Sequence, residues 1–159
     1  FQTLLNPQRT IPPGITRLTG ITPAMVADAP LFADVADRLA AFLDGAIFVA
    51  HNVDFDYRFI GQEFRRLGRP FRMPKLCTCA SRRKLHPGHG SYGLAALCAA
   101  YDIPLDSHHR ALCDAEAAAH LLLMINEKRR EGLRQEKRQE QRQEQRRDEP
   151  AGQPGSAAV

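Results

Sequence analysis

The chain has 159 residues, within the usual range for one domain, and its 22 basic and 18 acidic residues leave a net charge of only +4. That balance is too mild to imply a nucleic-acid partner by itself, and an apolar share of 43% excludes wholesale disorder. The longest apolar run is far short of a membrane span, and four cysteines (Cys77, Cys79, Cys98, Cys113) are too few and too unevenly placed for a disulfide scaffold.

The cysteines sit among Ala and Leu, which suits reduced, buried thiols in a cytoplasmic protein. The first residue is Phe1, not Met, and Phe1 to Leu5 reads as a strand caught in mid-course. The expectation is a fragment whose N-terminal part is missing.

Asn6 to Leu18 reads as a loop, with Pro7, Pro12, Pro13 and Gly14 as breakers. Thr22-Pro23 reads as a helix start, with Thr as cap and Pro in the first turn. Asp28 and Pro30 open a longer helix whose Leu31, Val35, Leu39 and Phe42 recur every three or four positions, so that face is expected to be buried. Gly45 ends it. Ala46 to Ala50 is a continuous apolar run, as in a strand buried on both faces. A second helix is expected over Asp56 to Leu67, a short strand over Lys75 to Thr78, an Ala/Leu helix over Ser91 to Tyr101, and a final helix from Ala111 to about Lys128. Strands alternating with helices indicate an α/β domain with a mixed or parallel central sheet.

Charge separates the end of the chain from the rest. Residues 127–149 hold 9 basic and 7 acidic residues, 16 of the 40 charges, and residues 1–126 hold the other 13 and 11. The folded domain is therefore expected over 1–132. From Arg134 the sequence repeats in fours (RQEK, RQEQ, RQEQ, RRDE), which on a helix would set like charges at i, i+4. Residues 133–159 are accordingly read as a disordered, charged extension.

Two segments carry chemistry. Ala50-His51-Asn52-Val53-Asp54-Phe55-Asp56 lies where a buried strand ends and a helix begins, the place where ligands gather in α/β sheets. Its aspartates suit a metal ion there, or a helix cap. His109-Arg-Ala-Leu-Cys-Asp114 sets a histidine just ahead of a helix and a carboxylate in its first turns. A carboxylate beside a neutral imidazole suits metal-assisted attack by water, with the histidine taking the proton. A cap and a surface histidine is the plainer reading of that segment.

Together, HNxxFD (His51 to Asp56) and HxxxxD (His109 to Asp114) resemble the second and third motifs of the DEDDh 3′–5′ exonucleases, the family of the proofreading epsilon subunit of bacterial DNA polymerase III. Leu18-Thr-Gly-Ile-Thr22 and Ser91-Tyr-Gly-Leu-Ala-Ala-Leu-Cys98 are similar to that family's intervening segments, and the resemblance runs from Phe1 to about Asn126. It implies a ribonuclease H-like exonuclease fold with a mixed central sheet flanked by helices, its first strands missing here. It implies two divalent cations, Mg²⁺ or Mn²⁺, at four carboxylates, with Asp56 and Asp114 two of these and His109 the general base. Leu18, Gly20, Ile21, Asn52 and Phe55 would border the terminal nucleotide. The implied reaction is in-line attack of water on the last phosphodiester of a single-stranded 3′ end of DNA or RNA, releasing a nucleoside monophosphate, with a DNA polymerase subunit as partner in a proofreading role.

The chain departs from the family in lacking Asp-x-Glu, the first motif. On a strand, i and i+2 share one face. Asp114-Ala115-Glu116 lies on a helix, where those positions diverge by about 200°, and cannot replace it. The chain by itself is therefore expected to be inactive. An exoribonuclease of the ribonuclease T type and a non-catalytic nucleic-acid-binding module of the same fold are the alternatives. A zinc site at Cys77, Cys79, His86 and His89 is disfavoured by the single-residue gap of the cysteine pair. Arg82-Arg83-Lys84 reads as a phosphate contact or a solvated helix face.

Overall fold

Proline begins the first helix. The computed structural model describes residues 1–105 and 109–148, with the side chains of the last helix described as far as residue 145. Within α1 (Pro13–Thr19), Pro13 occupies the first helical position, where a missing N–H costs nothing and the fixed φ is already helical. The loop expected over Asn6 to Leu18 is corrected on that ground, since the same prolines that break a helix interior can start a helix. Gly20 closes α1 at φ 70°, its N–H donating to the Thr16 carbonyl at 2.8 Å. In α2 (Pro23–Val26) the Thr22 hydroxyl accepts from the Met25 N–H at 3.4 Å, the cap expected from the sequence.

The α3 helix (Phe32–Leu43) buries Val35 and Ala36, and its Asp34 carboxylate accepts from the Leu31 N–H at 2.8 Å. Phe42, expected on the buried face, is instead 61% exposed, its ring 5.8 Å from that of Phe1. Gly45, at φ 68°, turns the chain toward β1 (Phe48–Ala50). After α4 (Asp54–Arg66) the chain returns as β2 (Lys75–Cys77), parallel to β1, with Phe48, Val49 and Ala50 opposite Lys75, Leu76 and Cys77. A helical crossover of this kind is what parallel pairing requires.

This parallel pair is the sheet among the described residues, so the antiparallel component of the expected mixed sheet is not present among them. Nor does Phe1 to Leu5 join a ladder. Because β1 has one strand neighbour, its residues are half-buried and Ile47 is 58% exposed, not buried on both faces. Aromatic rings fill the space between sheet and helices: Phe48 meets Tyr57 edge-on at 5.7 Å, Phe64 stacks on Phe71 at 5.2 Å, and Phe32 meets Phe64 at 5.1 Å.

Next come α5 (Thr78–Leu85), α6 (Leu94–Ala100) and α7 (Ala111–Asp148). Leu94, Leu97 and Cys98 of α6 pack with Ala117 and Leu121 of α7, with Tyr92, Tyr101, Ile103 and Leu105 against them. Of the four thiols only Cys98 is fully buried; Cys77, Cys79 and Cys113 are partly exposed. Arg82 is fully buried, its guanidinium 4.0 Å from the centre of the Tyr101 ring, which corrects the reading of Arg82 as a phosphate contact or solvated residue. The supposed zinc ligands are engaged elsewhere: His89 Nε2 bonds the Tyr101 hydroxyl at 2.6 Å and the Cys79 thiol donates to the Tyr92 carbonyl at 3.4 Å.

Phe1–Ile125 is one compact unit and the chain from Asn126 onward a second. Helix α7 continues without a break to Asp148, which corrects the expectation of disorder for residues 133–148. Two effects outweigh the like-charge register. Arg, Gln, Glu and Lys are all strong helix formers, and from Leu133 to Asp148 no Gly, Pro or β-branched residue intervenes. The residues before Asn126 already form helix, so the segment has only to propagate it and avoids the costly nucleation step. Like-charge pairs cost a few tenths of a kcal/mol each, too little to reverse that. Residues 149–159, the rest of the extension expected from the sequence, lie outside the described residues.

Candidate active site

The turn between β1 and α4 is held from both sides. Asn52 adopts a left-handed φ of 63°, a conformation Asn tolerates better than most residues. Val53 behind it is buried. His51 Nε2 lies 2.8 Å from the Tyr92 carbonyl and Nδ1 lies 3.0 Å from Thr78 Oγ1. A carbonyl only accepts, so Nε2 carries a proton, and the fully buried Thr78 hydroxyl lies between Nδ1 and the Ala50 carbonyl, to which it donates at 3.4 Å. Burial pushes the His51 pKa below its usual value, which favours the neutral imidazole. The histidine of HNxxFD thus ties the end of β1 to the start of α5 and to the segment before α6. Nothing in the sequence around Thr78 or Tyr92 signals that role.

The two aspartates of this segment diverge. Asp54 is exposed and paired with Lys75 of β2, which holds its carboxyl below the ordinary range. Asp56 is half-buried. Its pKa is raised, first by burial and further by the charge of Asp114. The charge of Asp114 reaches His51 and Cys98 as well: it partly opposes the lowering of the His51 pKa and adds to the raising, first by burial, of that of Cys98. The starts of α4 and α7 therefore lie within Coulombic reach, and Asp56, not Asp54, is the carboxylate that senses Asp114.

His109 is exposed and left-handed, at φ 69°, directly ahead of α7. The Arg110 carbonyl accepts from the Asp114 N–H at 3.0 Å, and the Arg110 guanidinium donates to the Thr19 carbonyl at 3.4 Å. That bond fastens the Leu18 to Ile21 loop to the His109 segment, a link the sequence reading missed. Within the loop the Thr19 hydroxyl accepts from the Ile21 N–H at 3.2 Å. Leu18 is 50% exposed and Phe55 56% exposed, with the Phe55 ring 4.8 Å from that of Phe59. Isolated surface Leu and Phe would be unremarkable.

Hard carboxylate oxygens suit a hard divalent cation, and a half-buried aspartate resisting ionisation beside a second carboxylate gains from one. Among the described residues, no group of three or more His, Cys, Asp and Glu side chains is arranged to hold a metal. Asp56 and Asp114 fit one such ion as part of its ligand set and are too few for two.

A family model described as Exonuclease matches residues 1–122. The chain belongs to the exonuclease family. Its fold is the ribonuclease H-like α/β fold of phosphodiester-cleaving hydrolases, seen here as a helix-rich domain around a small parallel sheet. It is 39% identical over 131 residues to the PolC-type DNA polymerase III of Caldanaerobacter subterraneus subsp. tengcongensis, covering 82% of this chain and 9% of that protein. It is 38% identical over 126 residues to the 3′–5′ exonuclease DinG of Staphylococcus haemolyticus, covering 79% of this chain and 14% of that one. The structure of exonuclease X in complex with 5′ overhanging duplex DNA is similar at a TM-score of 0.61 and 33% identity, covering 77% of this chain and 69% of that one. The chain thus spans roughly a tenth of these curated relatives, 9% and 14%.

Proposed function

We propose that residues 1–132 belong to the exonuclease domain of a metal-dependent 3′–5′ exonuclease that removes nucleoside monophosphates from single-stranded 3′ ends of DNA. The reading rests above all on the charge of Asp114 acting on Asp56, two carboxylates 58 residues apart within the family match. Asp56 and Asp114 would hold Mg²⁺ or Mn²⁺ together with a strand-borne Asp-x-Glu pair, which residues 1–159 do not supply. The cations supply charge stabilisation at the attacking and leaving oxygens. His109 takes the proton of the attacking water. Its exposure fits access to solvent and substrate. Asn52, Phe55 and the Leu18, Gly20 and Ile21 loop border the terminal nucleotide, with Phe55 offering a face for base stacking.

DNA is favoured over RNA by the PolC and DinG relatives and by the DNA in the exonuclease X complex. The PolC-type DNA polymerase III relatives support a place beside a polymerase, and with it we propose a role in replication or repair in the cytoplasm. No helix among the described residues is long and apolar enough to cross a membrane. The test is a 5′-labelled single-stranded oligonucleotide, DNA and RNA in parallel, incubated with the complete enzyme and Mg²⁺ or Mn²⁺. The expected product is a ladder shortened from the 3′ end, abolished by Asp114→Asn. Absence of a ladder on both substrates would overturn the reading, and a ladder on RNA alone would transfer it to exoribonucleases.

A further inference from the structure

The charged repeat becomes an ordered surface once it is helical. Four residues advance an α-helix by about 6 Å and rotate it by only about 40°, whereas two residues rotate it by about 200°. Arg134, Arg138 and Arg142 therefore form a gently winding stripe, and Glu136, Glu140 and Glu144, each two residues beyond an arginine, form a second stripe on the opposite side. Gln141 and Gln145 fall beside the arginine stripe and add uncharged hydrogen-bonding groups. All eight side chains are exposed. Among the described residues, the ion pair in this unit is Lys128 with Glu131 at 3.8 Å, and Arg134, Arg138 and Arg142 have no ion-pair or hydrogen-bond partner.

A helix that only needed solubility would place Glu and Arg at i, i+4, where they pair. This segment forgoes that register three times in succession and accumulates positive charge along the arginine face, while Lys137 breaks the run of negative charge on the other. Repulsion along the arginine stripe is relieved by a ligand carrying regularly spaced negative charge. A membrane surface fits poorly, because an interfacial helix needs an apolar face and Leu133 is the one large apolar side chain from Asn126 to Gln145. A second copy of the helix fits poorly for the same reason, since a coiled coil needs an apolar seam.

We propose that the Arg134–Arg138–Arg142 face of α7 binds the phosphate backbone of single-stranded nucleic acid, outside the catalytic unit and without base specificity. The choice of nucleic acid as occupant rests on the exonuclease reading above. A flexible single strand can follow a nearly straight stripe about 12 Å long, from Arg134 to Arg142, whereas duplex phosphates spiral away from it.

The experiment is binding of a 5′-labelled oligothymidylate to the 159-residue chain, read by fluorescence anisotropy in EDTA across a salt series. The comparison is with an R134Q/R138Q/R142Q variant, whose Gln residues keep the helix, checked by circular dichroism. The arginine variant should bind about tenfold or more weakly at low salt, and its slope of log K against log salt should flatten by about 2, three phosphate contacts at about 0.7 each. An E136Q/E140Q/E144Q variant should bind more tightly than the unaltered chain. Unchanged affinity and slope in the arginine variant would overturn the proposal. So would equal affinity for a duplex of the same length, for anionic vesicles or for polyglutamate, or failure of the unaltered chain to bind at all. Because the readout is binding without metal, it stands apart from the 3′ ladder: a ladder that persists in the arginine variant, alongside weakened binding, supports both readings.

Discussion

Asp56 is held above the ordinary carboxyl range by its own burial and, beyond that, by the charge of Asp114 at the start of α7. An acid whose folded pKa is raised releases its proton more readily when unfolded. Its ionisation therefore opposes folding as pH rises from the unfolded value of 3.8 through the folded one, and the cost is fully present at neutral pH. Asp56→Asn removes that cost. In metal-free buffer at neutral pH it should raise Tm by up to a few degrees, about 1 kcal/mol or less because the group is only half-buried. Mg²⁺ or Mn²⁺ should raise the Tm of the unaltered chain and leave that of Asp56→Asn almost unmoved. A lower Tm for Asp56→Asn without metal would remove the repulsion from the argument.

His51 provides a second handle on pH. Burial lowers its pKa below 6.5, so within that interval the unfolded chain binds a proton that the folded chain refuses. Stability should be level above about pH 6.5 and fall as pH drops through the interval. Replacing His51 by Gln leaves nothing to protonate at that position, so the difference in Tm between the variant and the unaltered chain should shrink by a few degrees from about pH 7 to pH 5. A difference independent of pH would mean that burial does not hold His51 in its neutral form.

The sequence made some of this legible and hid the rest for physical reasons. Thr22-Pro23, Gly45 and the parallel pair around α4 could be read directly, because caps, left-handed glycines and a βαβ pattern are local signals. Asp56 and Asp114 stood out through spacing, yet their coupling is a long-range fact. The same holds for the Arg110 bond to Thr19 and the Thr78–His51–Tyr92 chain. Arg82 misled because a basic run normally faces water, and only the fold shows its guanidinium lying on Tyr101. The end of α7 misled differently: a pairwise rule about like charges was applied where the summed propensity of the segment decides.

That last point gives a prediction of its own. Residues 126–131 and 133–145 are exposed, and Asn126 begins a separate unit. A chain ending at Leu133 should keep the main thermal transition within about 2 °C. It should also lose helical signal at 222 nm in proportion to the residues removed from α7. A fall of many degrees would show that the segment supports the core. An unchanged helical signal would show that it is not helical in solution.

The base assignment is the most exacting test, because His109 and Asp114 stand five residues apart and would fail in different ways. A general base contributes about two to four orders of magnitude to turnover. In an enzyme that also carries the Asp-x-Glu motif, His109→Ala should therefore lower kcat by that amount while KM and the metal-induced rise in Tm are kept, since the proposed role of the imidazole is to take a proton and not to hold the cation. Asp114→Asn should abolish the metal-induced rise together with activity, because it removes a carboxylate proposed as a ligand. The 159-residue chain alone, with two of the four carboxylates that the family resemblance implies, should yield no 3′ ladder with Mg²⁺ or Mn²⁺. A small exogenous imidazole diffusing into the space vacated in His109→Ala should restore part of the rate, with the pH dependence of its own neutral form. Full activity of His109→Ala in the complete enzyme would assign the proton to another group. A ladder from the 159-residue chain would mean that Asp56 and Asp114 suffice to hold the catalytic cations.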